Sequence, residues 1–318
     1  MSADHVRYEI VESGIAKISL SRPEKANAQD VRMTYELNAA FERAAADDDI
    51  KVIILAGDGN HFSAGHDLRD VVWHDEFDAT STWGGFHEPG AEGWVAREEE
   101  IYLGMCRRWR DIPKPTIAAV HGKTIGGGLM LAWVCDLIVA ADDASFADPV
   151  VDMGVCGVEW FVHPWEMGSR KAKELLFTAD FWNAQEAREM GMVNHVVPRE
   201  DLADFTLQLA RKIAAKPMFA LRLTKEAVNQ STDATGQPGA IKAAFALHQL
   251  AHAHNLERFG ICLDPLGVPA KLLETFPPAE RRDERRTQRR NERNRERSTP
   301  DGSQGHKLKV ELNEEKLA

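Results

Sequence analysis

The chain contains 318 residues, of which 43% are hydrophobic and 28% are charged, so it is long enough to bury one sizeable core in one main domain. Its formal net charge of -11 argues against a nucleic acid as its partner. The four cysteines show no paired ligand spacing, the N-terminus lacks an export signal, and no apolar run is long enough to span a bilayer. We therefore predict a reduced, cytoplasmic protein that enters no membrane.

The first elements predicted along the chain are a hairpin, a helix and a buried strand. Residues 6–21 alternate apolar and polar positions around a Ser-Gly turn, which indicates two antiparallel strands. The segment DVRMTYELNAAFERAAADDD spaces its apolar residues as an amphipathic helix does, and Asp30 is placed to cap it. KVIILAGDG has the composition of a buried parallel strand, so the residues that follow it, NHFSAGHDL, lie where ligands gather in α/β sheets.

The middle of the chain predicts further α/β units. Residues 71–93 show no clear periodicity and are interpreted as an irregular, partly mobile loop that forms either a lid or a pocket wall. A helical stretch, VAREEEIYLGMCRRWRDI, precedes a second buried strand, PKPTIAAV, and then a helix that three glycines open in IGGGLMLAW. The strand DLIVAAD follows, so strands and helices alternate as they do in crossover units.

The C-terminal part is predicted to be helical apart from a short strand in VNHVV. Three amphipathic helices extend to about Arg258, with Phe205, Leu209 and Ile213 at helical spacing. From about Pro277 the sequence is dense in arginine and nearly free of apolar residues, which is typical of a solvated, mobile tail. The predicted organisation is a core over residues 1–200, a helical region over 201–276 and a charged tail over 277–318.

Two glycine-containing motifs, NHFSAGHDL and TIGGGLM, each lie where a strand gives way to a loop or a helix. Each can offer one unpaired backbone N–H, and glycine lets a ligand approach the backbone without a Cβ in the way. Two such donors form an oxyanion hole, which stabilises a carbonyl oxygen as it gains negative charge. The alternative is structural: the glycines permit close helix packing, and SAGHD forms a turn.

Four motifs in this order resemble the crotonase (enoyl-CoA hydratase/isomerase) superfamily: SRPEKANAQ, IILAGDGNHFSAGHDL, PKPTIAAVHGKTIGGGLMLAWVCDLIVAADDASFADP and AQEAREMGMVNHVV. The resemblance covers roughly residues 7–258. It implies an α/β fold with a ββα-repeat spiral core and a C-terminal helical region used in trimerisation, so that the chain forms a homotrimer or a dimer of trimers. It also implies an acyl-CoA thioester as the ligand, with no cofactor beyond the coenzyme A of the substrate.

The same resemblance implies site residues by motif. The backbone N–H groups of His66 and Gly127 are expected to bind the thioester oxygen, which accounts for the glycine run. The expected coenzyme A groove is lined, largely through backbone contacts, by Lys25, Ala26, Ala64, Asp67 and Leu68.

The sequence departs from the hydratase pattern at both catalytic glutamates of the family, because Met130 and Val150 stand at these positions. Adding water to a conjugated double bond requires a base and an acid, and neither side chain can serve. We predict Glu159 as the catalytic acid/base, with Asp148 as a further candidate. Alternatively, Glu159 begins a helix and interacts with its dipole, and Asp148 is hydrogen-bonded structure. The titratable residues weighed in this segment are Asp148, Asp152, Glu159, His163 and Glu166.

Other side chains have mainly structural interpretations. The His66 side chain is expected to face solvent, and Cys156 lacks the partners of a nucleophile. His248 and His252 have the spacing of a two-ligand metal site, but His254 points elsewhere and no third ligand is evident, so packing or a subunit contact is predicted and no metal. Seven aromatic residues could shape an acyl cavity, although core packing is the more frequent role of such residues: Trp73, Trp83, Phe86, Trp94, Trp160, Phe161 and Trp165.

The sequence thus favours an acyl-CoA enzyme of enoyl-CoA hydratase/isomerase type with a relocated acid/base. An alternative is a non-catalytic acyl-CoA-binding homologue that has lost the glutamates. Thioester hydrolysis or decarboxylation also passes through an oxyanion, but no nucleophile or dedicated base can be named for either reaction.

Overall fold

The central sheet has six strands in the computed structural model, which describes residues 4–70, 77–81 and 83–274. The first two strands form the predicted hairpin and pair antiparallel, and the later neighbours are parallel. The predicted strands in KVIILAGDG, PKPTIAAV, DLIVAAD and VNHVV are confirmed. In spatial order the strands are β1 (Val6–Glu12), β2 (Ile15–Leu20), β3 (Val52–Gly57), β4 (Thr116–Val120), β6 (Leu137–Ala141) and β9 (His195–Val197).

A smaller sheet brings together the two loops that carry the glycine motifs. Ser63, in the loop after β3, pairs with the first strand of this smaller sheet. The Ser63 N–H donates to the carbonyl of Lys123 at 3.1 Å, and the Ser63 carbonyl accepts from the N–H of Ile125 at 3.0 Å. The two loops therefore lie side by side although they are far apart in sequence. The strands of this sheet are β5 (Lys123–Ile125), β7 (Ser145–Ala147) and β8 (Trp182–Asn183).

Helices cover both faces of the central sheet because its parallel strands are apolar on both sides. On one face α1 (Val31–Ala46) buries Phe41, and Asp30 caps this helix by accepting a hydrogen bond from the Met33 N–H at 2.7 Å, as predicted. On the other face α8 (Leu202–Ala214) packs against the sheet. The residues predicted at helical spacing lie in that second interface: Phe205, Leu209 and Ile213.

A π turn interrupts one long helical stretch. Helix α2 (Gly90–Glu98) continues into a π segment at Glu99–Gly104 and then into α3 (Met105–Arg110). The periodicity of VAREEEIYLGMCRRWRDI predicts the helix but not the π turn, because one extra residue in a turn barely alters so short an apolar pattern. One side of α2 and the π segment lines a cavity through Trp94, Arg97, Glu98, Ile101 and Tyr102.

The remaining helices complete the described chain. Helix α9 (Met218–Ala234) buries none of its side chains, and with α10 (Gln237–Phe259) it exposes large apolar residues: Phe219, Leu223, Val228, Leu247 and Leu250. Among the described helices, none has both the length and the apolar content that a bilayer span requires. The predicted tail over 277–318 lies outside the described residues. The remaining helices are α4 (Gly127–Trp133), α5 (His163–Met167), α6 (Ser169–Thr178), α7 (Ala184–Glu189), α9 (Met218–Ala234), α10 (Gln237–Phe259) and α11 (Ala270–Leu273).

Glu166, in α5, makes stability depend on pH. Burial raises the pKa of the Glu166 carboxyl to about 7, so the folded protein favours its neutral form. The free-energy cost of ionising it is absent below the pKa of the unfolded chain, grows as pH rises, and is complete above the folded pKa. One pKa unit is worth about 1.4 kcal/mol, and Glu166 keeps some exposure. We therefore expect Glu166→Gln to raise the free energy of unfolding by about 2 kcal/mol near pH 8 and to change it little near pH 4.5.

Urea denaturation of both proteins at the two pH values measures this difference. The exposed Glu257 provides the control variant, Glu257→Gln, whose stability is expected to match that of the wild type at both pH values. Equal free energies for wild type and Glu166→Gln near pH 8 would contradict the raised pKa.

Candidate active site

A cavity of about 170 Å³ lies between the glycine loops and two helices. Five stretches of the chain supply most of its wall: residues 64–68, 94–102, 125–127, 149–159 and 248–263. The first and third of these contain the predicted glycine motifs. The cavity therefore lies where the sequence predicts a ligand site, beyond the carboxyl ends of β3 and β5.

The two glycine loops approach each other so closely that side chains would not fit. A Cβ added to Gly65 would lie 2.6 Å from the carbonyl oxygen of Ile125 and 3.1 Å from the backbone nitrogen of Gly127. Gly126 has a φ of 53°, which a residue with a Cβ adopts only with strain. Glycine is thus needed here for close contact between the two backbones.

Two backbone N–H groups at this junction, those of His66 and Gly127, have no acceptor within the part of the chain that the structure describes. Gln29 binds the backbone on either side of His66. Its N–H donates to the Gly65 carbonyl, and its carbonyl accepts from the N–H of Asp67. Gly127 begins α4, where N–H groups lack an intrahelical partner. Both His66 and Gly127 line the cavity.

Glu159 places a carboxylate in the same cavity wall. It is 2% exposed and lies in an irregular segment before α5, so the alternative that it begins a helix is wrong. Its Oε1 lies 3.7 Å from His66 Nδ1 and 3.7 Å from His248 Nε2. Its Oε2 has no hydrogen-bond partner among the described residues. This carboxylate is therefore available for proton transfer to a molecule in the cavity.

The His66 ring is part of the site rather than of the surface. It stacks on the ring of Tyr102, with centroids 3.7 Å apart and an interplanar angle of 13°. The side chain is 17% exposed, so the prediction that it faces solvent is wrong. Burial, and then the charge of Glu159, holds the pKa of Tyr102 well above its ordinary value, so its phenol stays protonated at neutral pH. His66, Tyr102 and Glu159 thus form one polar cluster.

Asp148 is buried but does not line the cavity. Its Oδ2 accepts hydrogen bonds from His163 Nε2 at 2.9 Å and from the Val158 N–H at 3.0 Å. The pair holds the segment that carries Glu159. The assignment of Asp148 as a catalytic residue is therefore corrected to a positioning role, and His163 is its buried structural partner.

Removing this buried partner is expected to destabilise the protein. In Asp148→Ala the His163 ring and the Val158 N–H lose their acceptor inside the core, which costs about 3 kcal/mol in the free energy of unfolding. The exposed Asp152 gives the matched variant Asp152→Ala, expected to lie within about 0.5 kcal/mol of the wild type. Denaturant unfolding measures both, and an unchanged midpoint for Asp148→Ala would refute the positioning role.

Glu98 is a site residue that the sequence did not reveal, because the run REEE is typical of a solvated helix face. Its spacing from Trp94 and Ile101 is the signal that places it on the apolar side of the helix instead. Glu98 is 5% exposed, and its carboxylate oxygens lie 3.3 Å from Nε2 of His248 and 3.3 Å from Nε2 of His252.

The electrostatics of this group favour positive charge on the histidines. Burial by itself would raise the pKa of Glu98, but the charge of His252 and the close contacts of both histidines hold it well below its ordinary value. Burial would likewise lower the pKa of His248, but the charge of Glu159 and the contact with Glu98 raise it to about 9. The carboxylates therefore attract a cation to this side of the cavity.

Comparison with known proteins decides the family. A sequence model of the Enoyl-CoA hydratase/isomerase family matches residues 11–261. The chain belongs to this family. It is 46% identical over 264 residues to EchA13 of Mycobacterium tuberculosis, provisionally named an enoyl-CoA hydratase, and the match covers 79% of this chain and 81% of that protein.

Solved structures of the enoyl-CoA hydratase/isomerase family share the fold. A probable enoyl-CoA hydratase from Mycobacterium smegmatis is 47% identical, with a TM-score of 0.74 over 81% of this chain and 99% of that one. An enoyl-CoA hydratase/isomerase from Xanthobacter autotrophicus is 30% identical, with a TM-score of 0.69 over 87% of this chain and 100% of that one. The predicted superfamily and the crotonase-like α/β fold class are confirmed.

The family residues expected to contact coenzyme A divide into two sets. Ala64, Asp67 and Leu68 line the cavity, whereas Lys25 and Ala26 do not. Lys25 is exposed, and the Ala26 carbonyl accepts a hydrogen bond from the Ala64 N–H at 2.9 Å. The two sets are therefore adjacent, and their contacts with coenzyme A stay a prediction.

The positions that the sequence analysis assigns to the two glutamates carry no titratable group. Met130 is buried in the core, and Val150 lines the cavity. Asp152 is exposed, and Glu166 lies outside the cavity wall. Of the five acids and bases weighed from the sequence, Glu159 is the one that lines the cavity.

Most of the seven aromatic residues considered for an acyl cavity do not line it. Trp94 lines the cavity, but Trp160 is buried in the core and Trp83 is exposed. Trp73 lies outside the described residues. Cys156 is also absent from the cavity wall, and partial burial raises the pKa of its thiol, which disfavours a nucleophilic role. Three further aromatic residues from the sequence analysis do not line the cavity either: Phe86, Phe161 and Trp165.

Proposed function

We propose that this chain is an acyl-CoA-processing enzyme of enoyl-CoA hydratase/isomerase type, in which Glu159 transfers protons while two backbone N–H groups stabilise a thioester enolate. The observation that carries this proposal is the position of Glu159. It is a buried carboxylate with a free oxygen, in the wall of a cavity that His66 and Gly127 also line. Family membership supports an acyl-CoA thioester as the substrate.

The N–H groups of His66 and Gly127 are suited to a thioester carbonyl oxygen. Both lack an acceptor in the described chain, and the glycines beside them leave room for a ligand. When the α-carbon loses a proton, or when a nucleophile adds to the β-carbon, the carbonyl oxygen gains negative charge. Preorganised N–H donors stabilise that charge without reorganisation, and each contributes on the order of 3 kcal/mol.

Glu159 can act as both base and acid within one reaction. In isomerisation it removes a proton from the α-carbon of a 3-enoyl thioester and returns a proton to the γ-carbon, which yields the 2-enoyl thioester. In hydration it takes a proton from water as the oxygen adds to the β-carbon, and then gives a proton to the α-carbon. Either sequence restores the carboxylate, so the chemistry is possible with Met130 and Val150 at the family positions.

Substrate binding and assembly follow the family pattern in this proposal. The coenzyme A part lies along Ala64, Asp67 and Leu68, with Lys25 and Ala26 at the exposed end. Coenzyme A enters with the substrate, and the proton transfers need no redox cofactor. The chain assembles as a homotrimer or a dimer of trimers, which is supported by the unburied apolar side chains of α9 and α10, since such surfaces mark protein interfaces.

A mass-spectrometric turnover screen tests the proposal. Purified wild type and Glu159→Gln are incubated with 2-enoyl-, 3-enoyl-, branched, cyclic and 3-oxoacyl-CoA thioesters, and binding is recorded in parallel. We expect a mass gain of one water, or an isomer shift, in the wild type and neither in the variant. Release of free coenzyme A or of carbon dioxide would instead indicate hydrolysis or decarboxylation. Saturable binding without conversion of any thioester would overturn the enzymatic proposal and favour a non-catalytic acyl-CoA-binding protein.

A further inference from the structure

Three buried side chains meet where helices α2 and α10 cross beside the cavity. Glu98 comes from α2, and His248 and His252 lie one turn apart on the same side of α10. Each can offer one ligand atom, and these atoms all lie within 4.8 Å of one another. The third ligand that the sequence did not show is therefore Glu98.

The hydrogen bonds of the two rings leave both Nε2 atoms facing Glu98. His248 Nδ1 lies 2.7 Å from the Gly157 carbonyl oxygen, and His252 Nδ1 lies 2.7 Å from that of Cys262. A carbonyl oxygen only accepts, so each Nδ1 carries a hydrogen, and in a neutral ring the Nε2 then carries a lone pair. Two lone pairs and a carboxylate repel one another unless a proton or a metal ion lies between them.

We propose that Glu98, His248 and His252 bind a divalent transition-metal ion, with Zn²⁺ as the best match. Two imidazoles and a carboxylate are a ligand set of catalytic zinc sites, which leave a fourth position open. Ligand atoms at a tetrahedral angle, with bonds of about 2.0–2.1 Å, are about 3.3 Å apart. Glu98 Oε2 lies 3.3 Å from His248 Nε2, and Glu98 Oε1 lies 3.3 Å from His252 Nε2.

The surroundings of the three side chains fit a metal site in two further ways. Nδ1–H groups that donate to backbone carbonyls orient ligating histidines, and Glu98 Oε2 is itself held by the side-chain amide of Gln249. His248 Nε2, in a buried residue, has no hydrogen-bond partner among the described residues. It is the atom that a metal ion would engage.

Two protons, one on each Nε2, are the competing way to place positive charge here. They would put like charges on two rings whose centroids are 4.5 Å apart, whereas a metal ion carries both charges at one point. The side of the site toward the cavity is where Glu159 Oε1 lies, 3.7 Å from His248 Nε2. Glu98, His248 and His252 all line the cavity, so a bound ion would be reached from it. Metal binding by these residues does not depend on which reaction the cavity supports.

The experiment uses the full chain without a histidine tag. The protein is stripped with a chelator, then titrated with Zn²⁺ in competition with a chromophoric chelator, and its metal content is measured by mass spectrometry after gel filtration. Replacing Zn²⁺ by Co²⁺ gives a visible absorption band if the ion has protein nitrogen and oxygen ligands. We expect one equivalent of Zn²⁺ per chain in the wild type, together with the Co²⁺ band.

Matched variants locate the site. Removing a residue that only hydrogen-bonds to a metal ligand lowers metal affinity by about 10–100-fold. Glu98→Gln and His252→Gln each remove a direct ligand, so each is expected to lower the Zn²⁺ affinity by at least about 100-fold and to abolish the Co²⁺ band. His254, exposed on the same helix, supplies the control His254→Gln, which should bind as the wild type does. Thermal unfolding of the metal-free proteins checks that each variant folds. Less than about a tenth of an equivalent in the wild type, or unchanged binding in both ligand variants, would overturn the metal site in favour of two protons.

Discussion

Replacing Glu159 by glutamine is expected to lower kcat by about 10²–10⁴-fold, while the affinity for the acyl-CoA changes by no more than about threefold. The glutamine amide has nearly the shape of the carboxyl group but neither accepts nor donates a proton in the pH range of the reaction. Both Oε1 contacts, with His66 and His248 at 3.7 Å, can be kept by the amide, so the cavity retains its form. Steady-state kinetics give kcat, and equilibrium binding to the thioester gives the affinity.

The matched control is Glu166→Gln, which makes the same chemical change outside the cavity wall. Its kcat is expected to equal that of the wild type, because the substitution stabilises the fold and leaves the cavity wall unchanged. If Glu159→Gln kept more than about a tenth of the wild-type kcat, proton transfer would have to be assigned to another group in the cavity.

Replacing Gly127 by alanine is expected to reduce kcat by about 10²–10³-fold, equivalent to about 3 kcal/mol of lost transition-state stabilisation. The added Cβ would overlap the side-chain amide oxygen of Gln29 and would lie 2.5 Å from His66 Nε2. The His66 ring must therefore move, and it displaces the neighbouring backbone N–H that is proposed to hold the thioester oxygen. Alanine favours the helix that begins at this position, so folding is not the limiting effect.

Gly239→Ala is the control for this substitution, because a Cβ there meets nothing within 4 Å and the residue also lies in the first turn of a helix. Its kcat and its melting temperature should be close to those of the wild type. Gly127→Ala should melt within a few degrees of the wild type and still bind free coenzyme A, whose expected groove residues do not include Gly127. A wild-type kcat in Gly127→Ala would contradict the proposed oxyanion hole at His66 and Gly127.

The architecture was predictable because its elements have strong local signals. The strands β3, β4 and β6 are continuous apolar runs, as strands buried on both faces must be. The start of helix α1 is recognisable in the sequence because Asp30 is a typical N-cap residue. Gly65 and Gly127 were also recognisable, since glycine is required wherever two backbones touch.

The polar part of the site was harder to predict because it depends on which buried side chains meet. Glu98 lies in an acidic run, and its burial requires α10, which comes from the other end of the described chain. The His66 ring is held by Tyr102, whose position follows from the π turn. Glu159 could be chosen from its place in the sequence, but its contacts with two histidines could not, because those residues are far away along the chain.

The π segment at Glu99–Gly104 separates two faces of one continuous helical rod. A π turn holds one residue more than an α turn, so deleting a single residue there would restore a regular helix. The side chains of α2 would then be rotated by about 100° around the helix axis relative to those of α3. Trp94 and Glu98 would leave the cavity, while Trp109 would keep its place in the core. A one-residue insertion or deletion at this point is therefore a route by which proteins of this fold can gain or lose an acidic cavity wall without rebuilding their core.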